Sequence, residues 1–188
     1  MASFLSKNKT KKISSGIIPN QKKQSFLDKT FLWIRGNLFI PDARVFWVKP
    51  SVAFLEKYIV ENTIDTIVTS GPPHSLHLIG LELKQKLNLK WFADFRDPWT
   101  TIGYHKSLRL SRFAAKKHKA LERQVLNTAD TIIVTSKTTK TEFEAITSKP
   151  ISVITNGYDT EEVGKQTLDL KFSLAHIGVI NCSLAIYL

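Results

Sequence analysis

The sequence predicts an α/β fold: a Rossmann-like parallel sheet of the doubly wound class with flanking helices. Three observations carry this expectation. From residue 64 onward, short β-branched runs alternate with amphipathic segments, which is the signature of βαβ units. The runs are apolar almost throughout, as strands buried on both faces of a parallel sheet are. Glycine, proline and charge gather where the runs end, in SGPPH, ADFRDPW, TSK and TNGYD, and open parallel sheets bind ligands at such strand ends. A barrel of eight units needs roughly 250 residues, more than the 188 of this chain.

The elements follow in order. Residues 1–25 are rich in Ser, Asn and Lys and read as a basic mobile arm. FLDKTFLWIRGNLFI (26–40) is apolar and aromatic without a clean period, and its Phe26, Phe31, Trp33 and Phe39 need a partner surface. Residues 41–62 read as helical, with Pro41 and Pro50 at first-turn positions and Val52, Leu55, Ile59 and Val60 on one face. IDTIVTS (64–70) is a buried strand, ended by GPPH (71–74). A helix over 75–88 turns Leu76, Ile79, Leu83 and Leu87 inward. LKWFADF (89–95) is a second strand and RDPWTT (96–101) a loop. A long helix over 107–129 turns Leu110, Phe113, Ala114, Leu121 and Val125 inward. TIIVTS (131–136) is a third strand, KTTKTEFEAI (137–146) a helix, PISVIT (150–155) a fourth strand closed by NGYD (156–159), and FSLAHIG (172–178) a candidate fifth. The chain divides accordingly into the arm (1–25), a partial Rossmann-like domain (26–160) and a closing segment (161–188).

Composition bounds the function. A single cysteine, Cys182, excludes a disulfide framework and Cys-rich zinc modules, and it has no base at fixed spacing to make it a nucleophile. No apolar run reaches transmembrane length, and MASFLSKNKTKK lacks the apolar core of a secretory signal, so a cytoplasmic protein is expected. The 27 Lys and Arg against 16 Asp and Glu give a net charge of +11. Such a balance favours an anionic partner: nucleic acid, an anionic membrane or a phosphorylated substrate. Residues 1–24 hold six of the lysines and no acid.

Four constellations have chemical potential. In TSGPPHSLH (69–77), a strand ends at Gly71 and a helix begins with Ser75 as its N-cap. Free N–H groups and the helix dipole would hold an anion there, with His74 and His77 beside it; an ordinary βα loop stiffened by proline is the other reading. No GK[ST] follows, so this is not a P-loop. In ADFRDPW (93–99), Asp94, Arg96 and Asp97 cluster at a strand end. Asp97 suits a base or a sugar-hydroxyl acceptor and Arg96 a phosphate clamp, or the two form a pair that fixes the loop. Trp99 either stacks on a sugar or caps the core. AAKKHKALERQ (114–124) is a basic helix face, read as solvated or as a contact for anionic lipid, with His118 on the surface. Asn156 and Gly157 in VITNGYD (153–159) make a turn. The five histidines show no metal-ligand spacing, so no metal and no cofactor are expected.

Taken in order, these segments resemble the family 4 glycosyltransferases of the GT-B class, and within them a bacterial, Bacteroidetes-like subgroup. The resemblance rests on IRGNLFIPDARVFWVKPS (34–51), IVTSGPPHSLHLIGLELK (67–84), WFADFRDPWT (91–100), KHKALERQVLNTADTIIVTS (117–136), VITNGYD (153–159) and FSLAHIG (172–178). It implies two Rossmann-like domains facing across a cleft, the N-terminal one holding an acceptor and the C-terminal one a nucleotide-sugar. It implies transfer of a hexose-type sugar to a hydroxyl of a saccharide or lipid-linked acceptor, in cell-surface glycan synthesis at the inner membrane face, without a bound metal. ADFRDPW then resembles a cleft-facing loop in which Asp97 matches the family's Asp, while Arg96 stands where many members carry His. Gly71, His74, Ser75, Asp94, Trp99, Asn156 and Gly157 fall on substrate-facing segments. Gly178 falls beside the donor phosphate.

The resemblance also brings departures. The family opens with a strand and a Gly-rich loop, and nothing before residue 25 is similar to them. Its acidic donor-site motif follows the HIG strand, whereas this chain ends ten residues after Gly178. The expectation is therefore a fragment: much of the acceptor domain and a stub of the donor domain, without turnover alone. In a strand order of 3-2-1-4, the run at 64–69 would lose its neighbour, and its bare edge would invite self-association. Two other readings compete with the enzyme. One is a non-catalytic basic module on anionic membrane or nucleic acid, although no RNP-type or helix-turn-helix pattern marks specific nucleic-acid binding. The other is a non-functional gene remnant.

Overall fold

The computed structural model describes residues 26–157 and Phe172. The arm 1–25, the closing segment 161–188 with Gly178 and Cys182, and all of the candidate fifth strand except Phe172 lie outside the described residues. Four strands, β1 (Thr66–Gly71), β2 (Lys90–Phe95), β3 (Thr131–Val134) and β4 (Ile151–Val153), form one parallel sheet. Between them run the helices α3 (Ser75–Lys86), α4 (Arg112–Thr128) and α5 (Lys137–Glu144), preceded by α1 (Phe26–Leu38) and α2 (Val48–Glu61). Two 3-10 turns, Val45–Trp47 and Gly103–Leu108, lead into α2 and toward α4. The α/β class, the parallel sheet and every strand expected over 64–155 are present.

The described strands lie on one side of any point where a doubly wound sheet would reverse. A doubly wound sheet reverses its order once, and its helices change face there. Among the described residues the order is β1-β2-β3-β4 without reversal, so right-handed crossovers set α3, α4 and α5 on a single face. Burial follows that geometry. Trp91, Ala93, Phe95, Ile132 and Val134 are fully buried beneath the helices, whereas on the other face Val68 is 64% exposed. Phe92, Asp94 and Ile133 share that second face and are half-buried. The run at 64–70 is therefore a strand covered on one face only. β1 is also an edge strand, paired with β2 alone among the described residues.

The core has two parts. Under α4 and α5, Trp91, Phe95, Trp99, Val125, Leu126, Ile132 and Phe143 pack together. Under α2 and α3, Val48, Val52 and Ile59 meet Ile79, Leu83 and Leu89. Asp130, just before β3, joins the layers: it accepts from the Trp91 backbone N–H at 2.7 Å and pairs with Lys84 of α3 at 2.8 Å. Burial works to raise the Asp130 pKa, but the Lys84 and Trp91 hydrogen bonds outweigh it and hold the carboxyl below its ordinary value.

The aperiodic stretch 26–40 is helical, and glycine explains how it docks. A Cβ on Gly36 would sit 2.9 Å from the Leu108 carbonyl oxygen, so α1 approaches that turn only without a side chain there. Asn37 completes the contact, its Oδ1 accepting from the Ser111 N–H at 2.7 Å. Other assignments shift. Pro41 lies in a loop, while Pro50 is in the first turn of α2 as expected. Val60 and Phe113 point outward, 62% and 75% exposed, because each adjoins an inward residue (Ile59, Ala114) and a helix turns about 100° per residue. α4 begins only at Arg112, where the Ser111 hydroxyl caps it by accepting from Ala114 N–H at 3.1 Å.

Candidate functional site

All four strands point the same way, so Gly71, Phe95, Val134 and Val153 bring their carboxyl ends to one edge of the sheet. The loops after them are the expected site. The first, GPPH, enters α3 so tightly that a Cβ on Gly71 would lie 2.6 Å from His77 Nε2. Ser75 is not the N-cap but the first helical residue. The cap comes from outside: the Asp42 carboxylate accepts from Ser75 N at 2.8 Å and from Ser75 Oγ at 3.0 Å. The next two N–H groups are also engaged, Leu76 with Pro73 O at 3.2 Å and His77 with His74 O at 3.0 Å. The expected anion cradle is therefore already filled by a carboxylate of the protein itself.

The histidines beside it are equally withdrawn. His74 is 4% exposed and His77 fully buried. Burial lowers the His74 pKa from 6.5 to about 4, against an opposing pull from Asp42. Burial, and to a lesser degree His74, hold His77 well below its ordinary value. Both are neutral at pH 7 and offer no cation to a phosphate. The indole of Trp91 donates to Thr69 Oγ1 at 2.9 Å, and Thr69 Oγ1 lies 2.9 Å from His77 Nδ1.

Trp99 lies in the core. It is 1% exposed, lies parallel to His74 with ring centroids 4.9 Å apart, and donates its indole N–H to His118 Nδ1 at 3.2 Å. His118 is correspondingly 1% exposed rather than on the surface. Its ring meets His105 edge-on at 4.7 Å, and burial lowers the pKa of both, that of His105 to about 4. Among the described residues no group of three or more ligating side chains is arranged to hold a metal.

The loop RDPWTT, in contrast, is fixed at almost every residue while its tip stays open. Arg96 donates from Nη2 to Pro72 O at 2.6 Å, and its carbonyl accepts from Thr135 Oγ1 at 3.0 Å. Arg96 therefore ties three strand ends together and does not pair with Asp97. Glu122 of α4 accepts from Thr100 N at 3.0 Å and Thr100 Oγ1 at 2.6 Å. Thr101 Oγ1 donates to Glu142 of α5 at 2.6 Å. Burial raises the Glu122 pKa, and its bonds to Thr100 oppose this. Asp97 is exposed and makes no hydrogen bond or ion pair within the described residues. Asp94 is not with it: half-buried on the uncovered sheet face, it accepts from Ser70 Oγ at 2.6 Å. Asn156 and Gly157 follow β4, both exposed, with open space around Gly157.

Of the sequence candidates, then, Arg96, Asp97, Asn156 and Gly157 face outward at the strand ends, while His74, Ser75 and Trp99 form the buried floor beneath the first two loops. Sequence reasoning missed Asp42 and Glu122. Asp42 had a faint signal, an acid after proline in PDAR, but its partner lies 33 residues on. Glu122 had a better one: Ala114, His118 and Glu122 recur every four residues, and the polar types alone suggested a solvated face. A shallow depression lined by Arg123, Asn127, Thr128 and Ile146 lies where α4 runs into β3, at the amino edge of the sheet, away from these loops.

One comparison with known proteins matches. The family model Glycosyltransferase Family 4 aligns with residues 17–162, which span all four strands and every loop just described. No curated protein and no solved structure matches the chain significantly.

Proposed function

The chain belongs to glycosyltransferase family 4, and on that premise we propose that it moves a sugar from a nucleotide-sugar donor to a hydroxyl of a saccharide or lipid-linked acceptor, in cell-surface glycan synthesis. One observation carries the assignment of roles. Asp97 is the exposed, unpartnered acid on a loop whose other residues are held by Pro72, Thr135, Glu122 and Glu142. A carboxylate presented on a rigid support is what general-base or acceptor-positioning work needs. In this reading Asp97 accepts the hydrogen bond of the acceptor hydroxyl. As the oxygen forms its bond to the sugar's anomeric carbon, Asp97 takes the proton, and the sugar–phosphate bond breaks to release a nucleoside diphosphate. Arg96 positions the loop through Pro72. Asn156 and Gly157 are proposed to line the same edge, and Gly178 to approach the donor phosphate.

The test is a titration of the isotopically labelled chain with saccharide acceptors and with nucleotide-sugars, read by backbone amide shifts. The reading expects acceptor-dependent shifts at Arg96 and Asp97 that vanish in Asp97→Ala. Shifts confined to other surfaces, or none with any saccharide, would remove Asp97 from the site.

A further inference from the structure

An amphipathic helix turns its apolar face inward and a polar one outward. α2 obeys the first half of that rule and breaks the second. Val48, Val52 and Ile59 are buried against α3. On the outward side Trp47, Phe54 and Tyr58 are 58%, 68% and 48% exposed, and the exposed Glu61 continues the row. At about 100° per residue these four fall within about 60° of one another, with the exposed Pro50 at the margin. The rings of Phe54 and Tyr58 lie stacked, 6.2 Å apart. At the other end Arg44 sits over the Trp47 ring at 5.5 Å. Neither Arg44 nor Glu61 makes an ion pair among the described residues.

The spacing of this row is symmetric about Phe54. Trp47 lies seven residues before it and Glu61 seven after; Pro50 lies four before and Tyr58 four after. An isologous interface uses such a pattern, because residue i of one copy meets residue j of the other while j meets i. We propose that α2 packs antiparallel against α2 of a second copy of this chain, on a two-fold axis through Phe54. The two Phe54 rings meet at the axis. Tyr58 lies on the partner's Pro50, and Trp47, with Arg44 over it, meets the partner's Glu61. Each free charge thereby finds its opposite, twice per dimer. The row spans fourteen residues, about 21 Å at a rise of about 1.5 Å each, and a shallow crossing of about 20° keeps two helices in contact over that length. The three rings would bury roughly 800 Å² across both copies. Arg44, Pro50, Lys57 and Glu61 around them carry the area past the roughly 1,000 Å² of a specific interface. Aromatic rings at the centre with charges at the rim are the composition such interfaces have. An anionic surface fits poorly, because Glu61 stands in the row itself. The proposal places self-association on α2 and not on the bare edge of β1. It does not rest on the transferase reading, since association is scored without any activity.

The experiment is sedimentation equilibrium of the full chain at concentrations spanning about 1–100 μM, where a monomer–dimer equilibrium with a micromolar dissociation constant is expected. Phe54→Ser should weaken it about a hundredfold, because one substitution removes a ring from both sides of the axis. Arg44→Glu and Glu61→Arg should each weaken it about tenfold, whereas the two together should restore the parent value, since exchanging the signs keeps every pair opposite. Phe113→Ser, on an exposed ring of α4, and Val68→Lys, on the uncovered face of β1, should leave it unchanged. Circular dichroism checks that the outward substitutions keep the fold. Four results overturn the proposal: a parent chain that is monomeric throughout, or larger than a dimer; a dimer that survives Phe54→Ser; a dimer that Val68→Lys abolishes, which would assign association to the sheet; or single charge variants whose combination does not recover, which would exclude the antiparallel register.

Discussion

Lowering the pH from 7 to 5 should cost the fold about 2 kcal/mol through His74 alone. The ring is buried between Trp99 and Phe95, and its pKa is about 4 in the fold against an ordinary 6.5. The unfolded chain therefore takes up a proton between those values and the folded chain does not, so stability falls as the pH drops through 6.5 and levels off near 4. At pH 5 the unfolded imidazole is protonated roughly thirtyfold over neutral while the folded one stays neutral, and RT times the logarithm of that ratio is about 2 kcal/mol. His77 acts in the same direction, as does the less buried His105, whose contribution solvent screens. Glu122 acts oppositely, because its raised pKa favours proton uptake by the fold. Comparing variants removes these shared contributions. Urea unfolding followed by circular dichroism at pH 7 and pH 5 should show the midpoint falling by about 1 M for His74 alone, at a typical m of about 2 kcal/mol/M. His74→Phe keeps a ring on Trp99 and should reduce the pH-dependent loss by about 2 kcal/mol; His74→Asn serves if phenylalanine does not fit. An identical pH dependence in parent and both variants would refute the account of a neutral, buried His74.

Three further outcomes are expected. Asp42→Ala should destabilise by about 1–2 kcal/mol, as loss of a helix cap does, and by more than Asp42→Asn, which keeps one acceptor oxygen; equal midpoints for all three proteins in urea would show that the cap at Ser75 contributes nothing. Gly80→Ala in α3 should destabilise by about 1–2 kcal/mol, because the new Cβ would lie 2.6 Å from the buried, hydrogen-bonded Trp91 indole and overpacking outweighs the gain of about 1 kcal/mol in helix propensity; a raised melting temperature would contradict this. Asp97→Asn should leave the urea midpoint unchanged within about 0.5 kcal/mol, while in a catalytically competent form of the protein it should slow acceptor-dependent release of nucleoside diphosphate about a hundredfold or more; an unaltered rate would end its candidacy.

What the sequence determined by itself is the local alphabet of this fold. The β-branched runs at 66–71, 131–134 and 151–153 and the aromatic run at 90–95 became strands, and the Leu and Ile spacing of 75–86 became a helix, because side-chain periodicity is set by neighbours two to four residues away. It also located the loops at the carboxyl ends of the strands, and with them Arg96 and Asp97, since breakers and charges are local features too. Only the tertiary structure decided which polar groups are buried and by whom. Asp42 caps a helix 33 residues on. His118 and Glu122 are turned from a presumed solvated face into the anchors of the 96–101 loop. Trp99 lies against His74 in the core. The single covered face of the sheet was likewise invisible, since a half-covered β1 and a fully buried strand share the same apolar run. The physical reason is common to all four. Whether a polar or aromatic side chain is buried depends on the partner that satisfies or covers it, and that partner is brought in by the chain's path, not by the residue's own type or spacing.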